Sequence, residues 1–529
     1  MSERTVDSAD PIVTTAQGRI LGRRTKLGLE FRGIPFAQPP RGPLRFAPPR
    51  RIRSFNGGDV LDARYFGDPA PQAPPVPPFD TLVDTRTGSE SCLSLNVWTP
   101  DANPASRHPV MVWIHGGGYW DESGSDRPYW GHTFSRDGIV FVSINYRLGV
   151  LGFLHVAESF GLAEGSGNFG SLDQIAALEW VQENIAAFGG DSDNVTIFGE
   201  SAGSWSVATL LASRRAAGLF KRAICQSGGG EHVLSPERAQ VVTDRFLALS
   251  GISAGDVDSL RSADLRTLLA AQERLYEEGL SGGEASAPLL GDDAGLMLCL
   301  LPVTTGDVVG APPRELVAKG AGRDVDLLLG TNTDESALWR LTPGFDLVAP
   351  AMLELSRHAI STKGLDAAIA ERHYRDHFGE DDLIIAERME TDRMFRLPIV
   401  ELAYAHALSN AASASGTGRT FLYEFLWSGT SLGACHMSEI PFVFDQLGTP
   451  MAALLAGPSP SPAVAALMHS CWMNFATNGD PDPDGRYGWE RFDATEAGSF
   501  MIDELSKMEY HRDDVLLANW RRGSRSGQM

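Results

Sequence analysis

The chain has 529 residues, of which 43% are hydrophobic and 21% charged, a composition typical of a packed globular protein and not of a disordered one. Acidic residues outnumber basic ones by 67 to 45, which gives a formal net charge of −22. A field of that sign repels nucleic-acid phosphates and anionic lipid, so we expect no nucleic-acid or membrane partner and favour a neutral or cationic small-molecule ligand.

The start of the chain and its cysteines indicate a cellular compartment. No apolar run approaches the roughly 18 residues that span a bilayer, and residues 1–10 lack the apolar segment of a signal peptide. We expect a disordered tail over 1–10 and a single domain over 11–529. The cysteines are odd in number, widely spaced and without a CxxC pair, which excludes a disulfide scaffold and the usual zinc spacings; they are Cys92, Cys225, Cys299, Cys435 and Cys471. These features predict a reducing, cytoplasmic location and no metal site.

Strands and helices alternate along most of the chain. The first distinctive segment, the proline-rich stretch Pro69–Pro78, is predicted to be an extended surface loop. Further along, short apolar runs predict buried strands of a mainly parallel α/β sheet that is covered on both faces. These runs are Pro109–Ile114, Ile139–Tyr146, Val195–Phe198, Ala223–Gln226, Val325–Leu329 and Thr420–Leu426.

One helix has especially clear sequence signals. Over Ser171–Phe188, apolar residues recur every three or four positions, Ser171 and Gln174 form a capping box, and Gly189 supplies a stop. Residues from about 340 to 415 are predicted to be mostly helical and to pack over or beside the sheet.

The pattern GxSxG occurs four times, as chance allows in a chain with 56 glycines. A serine nucleophile of this type needs a strand before it and a helix after it. Only Ser201 has both, because Val195–Phe198 precedes it and the predicted helix Ala202–Ala212 follows. The other three serines are predicted to be turn or loop residues: Ser253, Ser281 and Ser431.

A glycine-rich turn, His115-Gly116-Gly117-Gly118, directly follows the predicted strand Pro109–Ile114. Such a turn lets backbone N–H groups point into a site without side-chain obstruction, and the amide after the nucleophile, Ala202, completes an oxyanion hole. The alternative, a plain glycine turn, is less favoured beside a nucleophile elbow.

A serine hydroxyl near neutral pH needs a base, and the base needs an orienting carboxylate. In α/β-hydrolases the chain order is serine, acid, histidine. Asp334 and Glu335 both follow the predicted strand Val325–Leu329, and strand order alone leaves the choice between them open. His436 follows the strand Thr420–Leu426. The structural alternatives are a hydrogen-bonded loop histidine and an acidic pair at a helix N-terminus.

Taken together, these segments resemble the type-B carboxylesterases, a family that includes cholinesterases and bacterial para-nitrobenzyl esterases. The resemblance covers nearly the whole chain. It implies an α/β-hydrolase fold, with a central, mostly parallel sheet flanked by helices. The segments that carry it are FRGIPFAQPPRGPLRF (31–46), SESCLSLNVWTP (89–100), HGGGYW (115–120), SINYRLG (143–149), GNFGSLDQIAALEWVQENIAAFGGDSDNVTIFGESAG (167–203), CQSG (225–228), GTNTDES (330–336) and CHMSEIPFVF (435–444).

The resemblance also implies roles for single residues. It makes Ser201 the nucleophile, His436 the base and Glu335, rather than Asp334, the acid. The remaining implied roles are oxyanion amides at Gly117, Gly118 and Ala202, a network around the histidine at Glu200 and Ser227, and structural ion pairs Arg45–Glu90 and Arg147–Asp173.

The chain departs from this family in three places. No cysteine precedes Cys92, and Ala70 lies near where a disulfide partner would be. The proline-rich stretch replaces the loop that carries a choline-binding tryptophan, so cholinesterase activity is not expected. Ser204 stands where relatives usually have glycine.

The expected function is therefore that of a serine carboxylesterase that forms an acyl-enzyme and needs no metal or organic cofactor. We expect neutral, small to medium apolar esters as substrates. The alternatives are a carbamate or amide hydrolase with the same residues and, more remotely, a non-catalytic binding protein of the same fold. Four aromatic residues are candidates for a substrate pocket or for the core: Tyr119, Trp120, Trp205 and Trp339.

Overall fold

A large mixed β-sheet forms the centre of the protein, as seen in a computed structural model that describes residues 10–520 except 56–59, 76–77, 82, 84–85, 281–298, 307, 343, 414–415 and 513. Ser281 and residues 1–9 of the predicted tail lie outside the described residues. The strands are β1 Ile12–Thr15, β2 Gly18–Leu21, β3 Arg23–Thr25, β4 Gly28–Pro35, β5 Leu61–Asp62, β6 Ser94–Thr99, β7 His108–Ile114, β8 Val140–Ile144, β9 Gly190–Glu200, β10 Arg222–Gln226, β11 Asp326–Asn332, β12 Thr420–Phe425, β13 Gly498–Ile502 and β14 Lys507–Tyr510.

Within the described residues, eleven strands form this sheet in the order β14-β13-β12-β11-β10-β9-β7-β8-β6-β4-β3, and β1, β2 and β5 form a small second sheet. The strands from β13 to β8 pair in parallel, whereas β14 at one edge and β6, β4 and β3 at the other pair antiparallel. All six predicted strands are present, and the parallel centre of the sheet is confirmed. The prediction missed the antiparallel edges.

Both faces of the sheet are buried. Along β7, Val110, Val112 and Ile114 belong to the larger hydrophobic cluster on one face. The alternate residues Met111 and Trp113 belong to the cluster on the other face. Because strand side chains alternate between faces, a continuous apolar run is what a doubly covered strand requires.

Helices cover the sheet and fill the connections between its strands. They are α1 His132–Arg136, α2 Gly149–Phe153, α3 Ala157–Phe160, α4 Phe169–Asn184, α5 Ala202–Ala212, α6 Pro236–Ser250, α7 Val257–Ser262, α8 Leu265–Leu280, α9 Pro313–Ala318, α10 Phe345–Thr362, α11 Ala367–Phe378, α12 Asp382–Thr391, α13 Leu397–Ala411, α14 Ile440–Val443, α15 Pro462–Asn478 and α16 Asp514–Ala518. A π-helical turn, Asp392–Arg396, joins α12 to α13. No helix in the described part of the chain is both long enough and apolar enough to cross a bilayer.

The helix with the clear sequence signals is α4, and its predicted cap was wrong. The helix begins at Phe169, so Ser171 lies inside its first turn and cannot be the cap. Asn168 occupies the cap position, but its side-chain amide instead donates to Val303 O (2.8 Å). Gln174 donates to Ser206 Oγ (2.8 Å) in α5 rather than to its own helix end. Gly189, at φ 80°, ends the final turn as predicted.

Two buried ion pairs tie the first part of the chain together, and both were predicted. Arg45 donates two hydrogen bonds of 2.7 Å each to the Glu90 carboxylate. Arg147 likewise donates two side-chain hydrogen bonds of 2.7 Å to the Asp173 carboxylate, and its backbone N–H donates a third of 3.0 Å. All five cysteines are buried free thiols.

The proline-rich stretch is not wholly a surface loop. Pro69 to Gln72 are buried, and Val76 and Pro77 lie outside the described residues. The Gln72 side-chain amide donates to Glu122 O at 3.1 Å, which fixes this part of the stretch beneath the segment that follows the glycine-rich turn. The surface-loop prediction was therefore wrong for these four residues, because a buried polar side chain attaches them to the core.

Candidate active site

Ser201 lies at a sharp turn between β9 and α5. Its φ of 55° and ψ of −123° are strained for a residue with a side chain. The flanking glycines permit the turn, since a Cβ on Gly203 would overlap Ile114 O and one on Gly199 would lie 2.6 Å from the Gly203 carbonyl carbon. The strand-turn-helix arrangement predicted around Ser201 is thus confirmed.

The other described GxSxG serines have different surroundings. Ser253 lies in the turn after α6, which ends at Ser250. Ser431 lies in a turn after β12, where its carbonyl oxygen accepts a bond from Arg340. Neither serine lies at a tight turn that joins a strand directly to a helix, as Ser201 does.

The glycine-rich turn after β7 passes directly over Ser201. Gly117 and Gly118 have φ values of 77° and 57°, and their amides donate to no loop, turn or cap carbonyl in the described chain. A Cβ on Gly116 would lie 3.3 Å from the Ser201 Cβ, which shows how closely the two segments approach. Ala202 is the first residue of α5, where a helix leaves its amides free.

The two loops that follow β11 and β12 bring an acid and an imidazole together. His436 Nδ1 lies 2.6 Å from Glu335 Oε2, and the His436 backbone N–H donates to Glu335 O at 3.1 Å. The second carboxylate oxygen, Glu335 Oε1, accepts the N–H of Asn332 at 2.8 Å. Both side chains are buried, and the meeting follows from the parallel pairing of two neighbouring strands.

The neighbouring acid, Asp334, has a different set of partners. It accepts the Ala434 N–H at 3.1 Å and forms an ion pair with Arg388 of α12. A Cβ on Gly433 would overlap its carboxylate, so the two loops are in close contact. Of the two acids that strand order left open, Glu335 reaches the imidazole and Asp334 fastens the loops to each other.

The far side of the imidazole faces the nucleophile elbow. His436 Nε2 lies 3.0 Å from Oε1 of Glu200, the residue before Ser201. Neither Glu200 oxygen has a hydrogen-bond partner of normal geometry among the described residues. Catalytic hydrogen bonds are often long in free enzymes and tighten only when substrate binds.

Comparison with known proteins places this arrangement in a family. The model of the carboxylesterase family matches residues 9–516. The chain belongs to the carboxylesterase family. It is 35% identical to a para-nitrobenzyl esterase of Bacillus subtilis, over 94% of this chain and 96% of the relative. It is 32% identical to carboxylesterase 1D of Rattus norvegicus, over 97% of this chain and 93% of the relative.

Solved structures of carboxylesterases support the same family assignment. A carboxylesterase of Geobacillus stearothermophilus superposes with a TM-score of 0.81 at 34% identity, covering 96% of this chain and all of the other. The protein therefore has the α/β-hydrolase fold and is a carboxylic ester hydrolase.

Sequence reasoning missed further carboxyl groups around the site of this carboxylesterase. Glu439 accepts bonds from Gln226 Nε2 (3.1 Å) and Asn332 Nδ2 (2.7 Å), and burial raises its pKa. Burial likewise raises the pKa of Glu200 well above its ordinary value, and the charges of Glu439 and Glu122 raise it further. An acidic residue inside the apolar segment SEIPFVF was a signal that could have identified Glu439.

Two more acids follow the glycine-rich turn of the carboxylesterase. Burial raises the pKa of Glu122 to about 7, although a bond of 2.8 Å from the Tyr129 hydroxyl opposes the shift. Burial and the charge of Glu122 raise the pKa of Asp121. The site is therefore rich in carboxyl groups that hold protons more tightly than usual.

Two further serines that the sequence analysis singled out, Ser227 and Ser204, differ in their hydrogen bonds. Ser227 is fully buried at positive φ, and its N–H donates to Gly330 O at 2.8 Å. Its hydroxyl makes no hydrogen bond to any described residue, so its role around the histidine stays a prediction. Ser204 Oγ donates to Gly228 O at 2.6 Å and ties α5 to the loop after β10.

The aromatic candidates surround the site in different ways. The ring centroid of Trp339 lies 5.9 Å from that of His436, and Phe395, from the π-helical turn, lies closer at 4.7 Å. The ring centroids of Trp205 and the buried Tyr119 are 5.9 Å apart, whereas those of Trp120 and Tyr276 are 3.8 Å apart. No group of three or more acidic, cysteine or histidine side chains among the described residues is arranged to hold a metal ion.

Proposed function

We propose that this carboxylesterase hydrolyses esters through an acyl-enzyme on Ser201. The observation that carries the proposal is the 2.6 Å contact between His436 Nδ1 and Glu335 Oε2, because it fixes the imidazole with its other nitrogen towards the elbow. An imidazole held in this way keeps its proton on Nδ1, which leaves Nε2 free to accept one.

In the first step, Ser201 Oγ attacks the ester carbonyl carbon while His436 Nε2 takes the hydroxyl proton. The carbonyl oxygen becomes an oxyanion and accepts hydrogen bonds from the amides of Gly117, Gly118 and Ala202. The carbon–oxygen bond to the alcohol then breaks, and His436 gives its proton to the leaving oxygen.

In the second step, water attacks the acyl-enzyme while His436 again accepts a proton. The tetrahedral adduct collapses, and the proton returns to Ser201 as the carboxylic acid leaves. Throughout both steps the Glu335 carboxylate stabilises the positive imidazolium.

The substrate class we propose is a neutral, small to medium apolar ester. Aromatic rings around the imidazole supply apolar contact area, and the surrounding carboxyl groups disfavour an anionic substrate. We further propose a cytoplasmic location, which the five free thiols support.

The test is a p-nitrophenyl ester series of increasing acyl length on the wild type and on Ser201→Ala. We expect the substitution to remove several orders of magnitude of kcat and to leave only the contribution of the oxyanion donors and binding. A matched ester, carbamate and anilide panel separates esterase from carbamate or amide hydrolase activity. Full activity of Ser201→Ala would overturn the mechanism.

A further inference from the structure

Two ring nitrogens beside the nucleophile lack a hydrogen-bond partner. Trp205 Nε1 and His232 Nδ1 are buried, with the residues 3% and 4% exposed, and neither nitrogen bonds to a described residue. A buried N–H without a partner is unfavourable, so native proteins supply one from protein, water or ligand.

Trp205 lies beside the nucleophile, and His232 lies in the loop after β10. Trp205 is in the first turn of α5, and its backbone N–H donates to Ser201 O at 3.0 Å. The indole edge that carries Nε1 lies against Gly228, where a Cβ would be 2.8 Å from Nε1 and 2.9 Å from Ser201 O. The indole N–H is therefore next to the backbone of the nucleophile.

The indole connects the oxyanion loop to the loop after β10. Its ring centroid lies 5.9 Å from that of Tyr119, which follows Gly118. On the other side it stacks on His232, with centroids 4.1 Å apart and planes 16° apart. The two rings are thus stacked next to the backbone of Ser201 and Gly228, and each carries one nitrogen without a hydrogen-bond partner among the described residues.

The charge of the stacked rings limits what they can bind. Burial and the nearby positive charge of Arg393 together lower the pKa of His232 to about 3, although a bond to the Gly229 backbone opposes the shift, so the imidazole is neutral near pH 7. A neutral imidazole nitrogen either donates or accepts, whereas an indole N–H only donates. An oxygen atom is the natural partner of such a pair, and the neighbouring carboxyl groups disfavour one that carries negative charge.

We propose that Trp205 and His232 form a subsite for a neutral oxygen substituent of the substrate, such as a ketone, ether or hydroxyl group. The oxygen accepts a hydrogen bond from Trp205 Nε1, and a hydroxyl can in addition bond to His232 Nδ1. The proposal rests on the role of Ser201 proposed above, and it assigns the enzyme to oxygenated esters rather than to purely hydrocarbon ones.

The test compares esters that differ only by an oxygen in place of a methylene. On the acyl side, p-nitrophenyl 3-methoxypropanoate is matched with p-nitrophenyl pentanoate; on the alcohol side, 2-methoxyethyl butanoate is matched with butyl butanoate. Each kcat/KM is divided by the rate of hydroxide-catalysed hydrolysis, which removes differences in intrinsic reactivity. We expect the wild type to prefer the oxygenated member of one pair about 10-fold or more, because a site that hydrogen-bonds its substrate rejects the analogue without the acceptor.

The variant Trp205→Phe removes the N–H and keeps an aromatic ring, and we expect it to bring that ratio to about 1. The matched control is Trp180→Phe, since Trp180 of α4 is also buried with an unpartnered Nε1 but packs on Phe188. The control should keep the wild-type ratio. If Trp205→Phe does not fold, Trp205→Leu takes its place, because it also removes the indole N–H, and a ratio of about 1 is expected again.

Two results would overturn the subsite: a wild-type ratio near 1 in both pairs, or a ratio that survives the removal of the Trp205 N–H. Hydrolysis of pentanoate or butanoate without any preference for oxygen removes the subsite and leaves the proposed mechanism intact. Absence of hydrolysis of all four esters contradicts the mechanism itself.

Discussion

Replacing Glu335 with glutamine tests the acid of the proposed triad at nearly constant shape. In the wild type, Glu335 Oε2 lies 2.6 Å from His436 Nδ1 and Oε1 accepts the N–H of Asn332 at 2.8 Å. Glutamine offers only one oxygen for these two N–H groups. If its oxygen keeps the Asn332 bond, its NH2 group faces Nδ1 and drives the imidazole proton onto Nε2, where it blocks proton transfer from Ser201.

The expected fall in kcat follows from the loss of this hydrogen bond and of the Glu335 charge. The opposite orientation of the amide sets the NH2 group against the Asn332 N–H, and in both orientations the charge that stabilises the imidazolium is gone. The corresponding change in a Ser-His-Asp triad lowers kcat about 10⁴-fold, which corresponds to roughly 5 kcal/mol of transition-state stabilisation. We expect a loss of about 10³- to 10⁴-fold for Glu335→Gln.

The measurement is kcat on p-nitrophenyl butanoate, together with a thermal melt. We expect the variant to fold, because the charge of Glu335 raises the pKa of Glu439 and Glu200 and so opposes their ionisation. The matched control is Asp334→Asn, which removes the neighbouring carboxylate and its ion pair with Arg388 and should cost no more than about 10-fold. A larger loss for Asp334→Asn than for Glu335→Gln would refute the assignment.

Three further perturbations probe other parts of the account. Gly117→Ala places a Cβ on the Asp121 carboxylate at a φ of 77°, and we expect kcat to fall about 10²- to 10³-fold with a smaller change in KM. Arg147→Ala leaves Asp173 buried without its cation, and urea denaturation should show a loss of about 3–5 kcal/mol, whereas an unchanged midpoint would contradict a structural role. Because burial raises the pKa of Glu122 from 4.5 to about 7, the folded protein keeps a proton that the unfolded chain has lost, so the free energy of unfolding falls as pH rises between these values. Denaturation curves of Glu122→Gln at several pH values should show a weaker decrease; an identical pH dependence would count against this carboxyl group as its source.

The parallel centre of the sheet could be predicted because its strands leave clear apolar runs. In β7, five consecutive residues from Val110 to Ile114 are buried, alternately on the two faces, and such a run is readable from sequence. The edge strands are different, since β3 reads Arg-Arg-Thr and is largely exposed. Its pairing with β4 depends on tertiary position, which composition does not encode.

The same contrast holds for the site. The turn at Ser201 is specified locally, because Gly199 and Gly203 are needed where the backbone approaches itself. The choice between Asp334 and Glu335 is not local, since it depends on how the loop after β12 lies against the loop after β11. Glu439 was missed for a similar reason: its partners, Gln226 and Asn332, come from strands β10 and β11, far away in sequence.

The central claim, that Ser201 is the group which takes up the acyl part of the ester, can be tested by covalent labelling. The wild type and Ser201→Ala are incubated with diethyl p-nitrophenyl phosphate, which phosphorylates an activated serine, and peptide mass spectrometry locates the adduct. A single diethylphosphoryl group on Ser201 with matching loss of esterase activity, and no adduct in Ser201→Ala, is the predicted result. Inactivation that coincides with labelling of Ser253 or Ser431, while Ser201 remains unmodified, would contradict the account.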